Sequence, residues 1–463
     1  MKIGLEIHVQ LTTKTKMFCS CENKTAKQPN TLCCPTCLGM PGSKPVINKV
    51  AFDYAIKIAL ALNCKFPKET FFSRKSYFYP DLPKDFQISQ YEIPLAVKGN
   101  LVSGNKKIRI TRVHMEEDPG RIVHVGGSIT TAKYVLVDYN RSGTPLCEIV
   151  TEPDFTSPKE ARIFLQELSS ILQYLGVFDP DIEGSMRVDS NISLEEVRVE
   201  VKNISGFKDV EKALNYEIIR QKGMLRRGQK ILRETRAWDS VAGVTRSLRT
   251  KEEEEDYGYI FEPDLPSITL DKKNIAKIKK SLPELASEKI KRYEKEFDIP
   301  KDLSVSITSE PGLADFFEKV VKQTKPEIAA NFFAKELKKT LNYNNLRISR
   351  TGLKPWHVVK LLKMIENKEI TVRSAEYMIR NMVMSPVDPE KLLEEKKMTR
   401  IYDEKTLEAL IKEVISENTT TLLDYKSGKT EAFHFLVGQA MKKTQGRGDP
   451  ETIRKLLRRM LSI

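Results

Sequence analysis

Two close thiol pairs, Cys19-x-Cys21 and Cys34-x-x-Cys37, have the spacing of a tetrahedral zinc site. Each pair can chelate two corners, and the loop between them swings the second pair round. Four thiolates close the coordination shell and leave no place for water, so a metal held there folds a loop and catalyses nothing. Spare core thiols or a disulfide would use the same residues, and Cys33 beside Cys34 leaves the ligand choice open by one position. Cys64 and Cys147 lie in apolar stretches and read as packing residues.

A second kind of chemistry sits on alternating segments. In Gly4-Leu5-Glu6-Ile7-His8-Val9-Gln10, Leu5, Ile7 and Val9 point one way while Glu6, His8 and Gln10 point the other. An acid and an imidazole then stand about 7 Å apart on one rail, close enough to share an ion or a substrate. Arg187, Asp189 and Asn191 repeat the pattern opposite Met186, Val188 and Ile192, and Arg198, Glu200 and Lys202 do so opposite Val199 and Val201. One such face can simply meet water; several in one domain suggest the charged floor of a cleft. Glu116-Glu117-Asp118 places three carboxylates where a strand reaches a turn, a grouping that is unfavourable unless the turn is solvated or a cation such as magnesium sits among them. The loop Asp138-Tyr139-Asn140-Arg141-Ser142-Gly143-Thr144-Pro145 offers guanidinium, amide and hydroxyl groups suited to phosphate or ribose, although a plain turn uses many of the same residues.

The elements that must position these groups divide near residue 290. Before it, Arg109–Met115, Tyr134–Tyr139, Ser185–Ser193 and Arg198–Ile204 read as strands of a sheet-rich body. After it, helical periodicity runs through Pro326–Leu341, Pro355–Asn367, Arg373–Met384, Asp403–Ser416, Glu431–Lys443 and Pro450–Leu461. The Pro386–Pro389 stretch and the segment around Arg400 read as joints, and the acidic run Glu252–Asp256 as an exposed turn. The fold class is α+β. With 463 residues, 40% of them hydrophobic, the chain can build two to four domains with real cores. No apolar run approaches a membrane span and the start lacks a signal-peptide pattern, which makes the cytoplasm the expected location. A formal charge of +14 favours a polyanionic partner such as RNA. Lys442, Lys443, Arg447, Arg454, Lys455, Arg458 and Arg459 concentrate that charge near the C-terminus, as an RNA-backbone surface or a solvated basic helix.

Common signatures are missing. Ser427-Gly428-Lys429-Thr430 imitates the end of a P-loop, but the leading glycine position is Leu423 and no apolar strand feeds it. There is neither a Gly-x-Ser-x-Gly elbow nor the serine-rich glycine loop of an amidase, so a reaction that consumes ammonia would need another chain to make it.

Several longer motifs together resemble one family. Gly4–Val9, Tyr77-Phe78-Tyr79-Pro80-Asp81-Leu82-Pro83-Lys84, Gln87–Gln90, His114–Asp118, Asn140–Leu146, Val201–Ile204, Glu234-Thr235-Arg236, Glu262–Leu265 and Phe435-Leu436-Val437-Gly438-Gln439 are similar to the B subunit of the tRNA-dependent amidotransferases. The similarity extends over essentially the whole chain. It implies a heterotrimer with an amidase (A) subunit that releases ammonia from glutamine and a small C subunit that braces the other two. It further implies ATP-dependent phosphorylation of the side-chain carboxylate of Asp-tRNA(Asn) or Glu-tRNA(Gln), followed by attack of channelled ammonia on the acyl phosphate. The family's organisation would give a cradle at 1–292, a helical domain at 293–400 and a tRNA-binding tail at 401–463. By motif, Glu6, His8 and Glu117 would serve phosphoryl transfer and hold Mg2+, with Asp189 and Glu183 as further carboxylates. Arg141, Arg187 and Lys202 would steady phosphate oxygens, and Cys19, Cys21, Cys34 and Cys37 would hold structural Zn2+. Tyr257-Gly258-Tyr259 departs from the family by its glycine, where many members carry arginine, and the four cysteines are not kept by every member. A noncatalytic zinc-bearing tRNA-binding scaffold and an ATP-dependent ligase of a small amino acid are the readings from other classes.

Overall fold

The computed structural model describes residues 1–126, 132–250, 258–396, 403–444 and 446–461. The acidic run at 252–256, Tyr257 and Arg400 lie outside them. The chain divides into two compact units, Met1–Leu285 and Ala286–Ile463.

The first unit is built on an antiparallel-dominated sheet whose middle is the first strand. Lys2–Gln10 pairs on one side with Pro145–Thr151 and on the other with Met186–Ser193, both antiparallel. Beyond Pro145–Thr151 comes the long strand Lys106–Glu117, and beyond Met186–Ser193 come Val199–Ile204 and Glu234–Asp239. Period-two alternation gives each strand one apolar face, and Ile3, Leu5, Ile7 and Val9 are buried on it. Helices Lys49–Ala61, Pro158–Tyr174 and Phe207–Arg226 join that face in one apolar core. Ser157 starts the second of these helices by accepting the Glu160 N–H, with Pro158 in the first turn where its missing donor costs nothing. Its Phe164, Leu165, Leu168 and Leu172 then lie at helical spacing on the buried side. With the helices on one face, the opposite face keeps its polar side chains.

The second unit is helical throughout its described residues, so the α+β class holds for the chain. Helix Ala286–Phe297 opens it, and Tyr293 is fully buried in a core with Phe317, Phe333 and Leu361. The expected helix from Pro326 is α-helical to Asn331, opens into a π-helical turn at Phe332–Leu337, and resumes at Lys338–Tyr343. A separate apolar cluster forms from Leu407, Ile411, Leu436, Leu456 and Leu457 on helices Glu404–Glu417, Thr430–Lys443 and Pro450–Leu461. Among the described residues no helix is long and apolar enough to cross a membrane.

Candidate functional site

Strand register lines up charged groups across the polar face of the first unit. Glu148 stands opposite both His8 and His114, and Arg187 stands opposite His8 on the other side. His8 Nε2 lies 3.4 Å from Glu116 and 3.4 Å from Glu148, while His114 Nε2 lies 3.0 Å from Glu148. Glu116, Glu148 and His114 are buried. Burial by itself would make the His8 imidazole harder to protonate, but the Glu148 and Glu116 carboxylates outweigh it and raise its pKa to about 9. Burial likewise opposes ionisation of Glu148, and the two imidazoles overcome it, holding the carboxyl well below its usual range.

This arrangement fits a divalent cation. His8, Glu116 and Glu148 each offer a ligand atom, all within 4.8 Å of one another. Two carboxylates and an imidazole in that space are the donors of a hard or borderline metal, and the gathered negative charge favours one.

Beside the cluster, two guanidinium groups converge on one buried acid. Asp118 accepts from Arg187 Nη2 at 2.7 Å and from Arg141 Nε. The carboxylate is fully buried while both arginines remain partly exposed, which leaves donors available at the surface. Asp118 also anchors the Arg141 loop through its backbone, donating to Thr144 O at 2.9 Å and accepting from Gly143 N at 2.9 Å. Gly143 adopts φ +83°, a left-handed conformation that favours glycine in this tight loop.

The expected residues are only partly brought together. His8 is in the cation cluster; Glu6 and Glu117 are not, and Glu116 and Glu148 take those places. The parity of the strand explains the exchange of neighbours: His114 and Glu116 share one face, and Glu117 points to the other. Glu117 is instead held by Lys84 and by the Ile88 N–H at 2.9 Å. Glu6 accepts from Asn191 Nδ2 at 2.8 Å and stands opposite Asp189 in register. Lys202 Nζ lies 3.8 Å from both Asp189 and Glu200. Glu183 stands exposed in the turn before the Met186–Ser193 strand. Glu148 is absent from the expected set, and its one signal in the sequence is a lone acid in the apolar run Leu146–Val150.

The thiols form their own group. Cys19, Cys21, Cys34 and Cys37 converge, and Cys37 Sγ lies 3.3 Å from Cys19, 3.6 Å from Cys34 and 3.7 Å from Cys21. A zinc tetrahedron with Zn–S bonds of about 2.3 Å has S···S edges of about 3.8 Å, so the donor set fits zinc. Cys33 faces away, toward Asn140 Oδ1 at 3.9 Å. The hydrogen bond from Cys19 is the main cause that lowers the Cys37 pKa to about 4. The same bond pushes the Cys19 thiol up, and burial pushes Cys21 up to about 12. Burial also pushes Cys64 up to about 12 and raises Cys147, as expected of packing thiols.

In the second unit, Ile453, Leu456, Leu457 and Leu461 bury one side of the last helix and leave Arg454, Lys455, Arg458 and Arg459 exposed. Arg458 lies over the Phe433 ring, 5.6 Å from its centroid, and Arg459 pairs with Glu408. Lys442 is exposed, whereas Lys443 bridges Glu413 at 2.8 Å and Glu417 at 2.6 Å. Arg447 donates to Thr444 O at 3.3 Å.

Residues 1–276 match the family model described as the GatB/GatE catalytic domain, and residues 315–461 match the GatB domain. The chain is 46% identical over 473 aligned residues to the B subunit of the aspartyl/glutamyl-tRNA(Asn/Gln) amidotransferase of Thermotoga petrophila, covering 99% of this chain and 98% of that one. It is 44% identical to the protein of the same name from Saccharolobus solfataricus, with all of both chains covered (100% and 100%). The corresponding protein of Carboxydothermus hydrogenoformans is also 44% identical, over 99% of this chain and 98% of the relative. A sheet face that gathers imidazole, carboxylates and guanidinium groups therefore sits inside a catalytic-domain match, and the chain belongs to the family of aspartyl/glutamyl-tRNA(Asn/Gln) amidotransferase B subunits, a component of a glutamine-dependent amidotransferase.

Proposed function

We propose that the first unit activates the side-chain carboxylate of Asp-tRNA(Asn) or Glu-tRNA(Gln) with ATP and then amidates it. The observation that carries this reading is the His8–Glu116–Glu148 cluster lying next to the Arg141 and Arg187 pair on Asp118. A carboxylate resists attack by ammonia because oxide is a poor leaving group. Its oxygen attacks the γ-phosphorus and ADP departs; ammonia then attacks the acyl carbon and phosphate departs. Magnesium bound by His8, Glu116 and Glu148 would neutralise charge on the phosphates. Arg141 and Arg187 orient phosphate oxygens, and Lys202 extends the positive rim. Glu6, Asp189 and Asn191 support this floor from the adjoining strands.

Ammonia comes from a partner amidase subunit, and a small third subunit completes a heterotrimer that works in the cytoplasm. The cradle at 1–292, the helical domain at 293–400 and the tail at 401–463 divide the labour, with Lys442, Lys443, Arg447, Arg454, Lys455 and Arg458 meeting the tRNA backbone. Zinc on Cys19, Cys21, Cys34 and Cys37 is structural.

The test is ADP release by the reconstituted complex supplied with charged tRNA. Glu148→Gln is expected to abolish it while leaving glutamine hydrolysis by the amidase intact. Normal ADP release in that variant would overturn the assignment.

A further inference from the structure

We propose that Lys16 is a positioning residue that ties the thiol-bound metal to the loop carrying Arg141. The inference rests on the reading that the four thiols hold zinc. Lys16 is fully buried. Its Nζ donates to Leu32 O at 2.7 Å and Tyr139 O at 3.4 Å, and lies 3.6 Å from Cys37 Sγ. Among the described residues no carboxylate lies within ion-pair distance of it. A buried ammonium without a counter-charge is costly, and Cys37 is the group in contact with it that can carry one. A zinc tetrathiolate has two net negative charges, so the ammonium offsets part of the charge of the metal site. The same ammonium then fixes both the thiol loop, at Leu32, and the functional loop, at Tyr139.

Further bonds run in parallel. Asn30, held at φ 57°, accepts from Tyr139 N at 2.7 Å and donates through Nδ2 to Val137 O at 3.1 Å. Its own N–H reaches Asp138 Oδ1 at 2.9 Å. Asn140 accepts from Leu32 N at 2.7 Å and donates to Gln28 O at 2.7 Å. Met17 N donates to Gly143 O at 2.8 Å. The thiol segment has no regular strand or helix of its own to keep this geometry. The metal is its cross-link, and through Lys16 and the two asparagines that cross-link reaches Asp138–Thr144. Arg141, bound to Asp118 from the same loop, is thereby aimed. The thiol site therefore acts on the reaction at a distance by fixing one guanidinium.

The test combines zinc release to a chromophoric chelator with amide hydrogen exchange on the full-length chain. Stripping zinc from the wild type should raise exchange at Tyr139–Thr144 by at least about tenfold, with the Pro145–Thr151 strand still protected. Lys16→Met should release zinc at least about tenfold faster and show the same loosening with zinc bound, and Lys16→Arg should restore much of both. A purified chain that holds no zinc sinks the metal reading itself. Zinc that binds and can be stripped without loosening Tyr139–Thr144, or a Lys16→Met chain that keeps wild-type release and exchange, overturns the role of Lys16 alone. The wild-type arm stands even if the Met variant does not fold.

Discussion

Glu148 stands between His8 and His114 across three adjacent strands, 3.4 Å from the first imidazole and 3.0 Å from the second. One carboxylate thus fixes the rotamers of two histidines, and only His8 also reaches Glu116. Replacing Glu148 by Gln, or Glu116 by Gln, should lower ATP-dependent amidation by about a hundredfold or more. Stopped assays of ADP release, with circular dichroism to show an intact fold, measure the effect.

Asp118 holds two guanidinium groups through a buried carboxylate. Asp118→Asn leaves both arginines short of their counter-charge, and breaking such a buried pair costs about 3 kcal/mol, the lower end because the arginines are partly exposed. Urea denaturation should show a lowered midpoint with an unchanged slope. Loss of ATP use should accompany it, since Arg141 and Arg187 lose their common anchor.

Glu217 gives a stability test far from the cation cluster. Its fully buried carboxylate accepts from Arg220, Thr245 and Gln221. Burial alone would raise its pKa, yet the Arg220 hydrogen bonds and charge hold it below the usual value. The folded value lies under the unfolded one, so the stabilisation is complete above the ordinary glutamate pKa of about 4.3 and disappears as pH falls through the folded value. Glu217→Gln should therefore destabilise most near neutrality, and the gap from the wild type should close on acidification below about pH 4. Denaturant midpoints measured across that range decide it.

Thiol geometry separates Cys33 from Cys34. Cys34→Ser should lose tight zinc, because it removes a corner 3.6 Å from Cys37, whereas Cys33→Ser should retain one equivalent. Metal analysis after dialysis reads the difference directly.

The last helix offers its arginines on one side only. Arg454→Glu with Arg458→Glu should raise the KM for charged tRNA by about tenfold or more and flatten its salt dependence, with little change in kcat. Kinetics at several salt concentrations check this.

Much of this site was legible in alternation. The strand starting at Lys2, the Met186–Ser193 strand and their polar faces follow from period-two patterning, and six helices of the second unit follow from the 3.6-residue period. Alternation also places Glu116 on the face of His114 and Glu117 on the opposite one. What alternation could not settle is which strand lies between His8 and His114, and that comes from the pairing of Pro145–Thr151 with both of their strands. Glu148 was hidden because one acid in an apolar strand has no local partner; its meaning comes from strands distant in sequence. The π-helical turn at Phe332–Leu337 was invisible for another reason, since the apolar pattern does not distinguish one widened turn from its neighbours.

The strand Lys2–Gln10 is enclosed by two partners that both follow it far along the chain, Pro145–Thr151 and Met186–Ser193. During synthesis, Leu5, Ile7 and Val9 gain their first sheet neighbour only once Thr151 has been made, and their second only once Ser193 has. His8 consequently meets Glu148 only through a pairing of long sequence separation, so the cluster forms late relative to the local helices, and until then the apolar residues of this strand stay without a sheet partner.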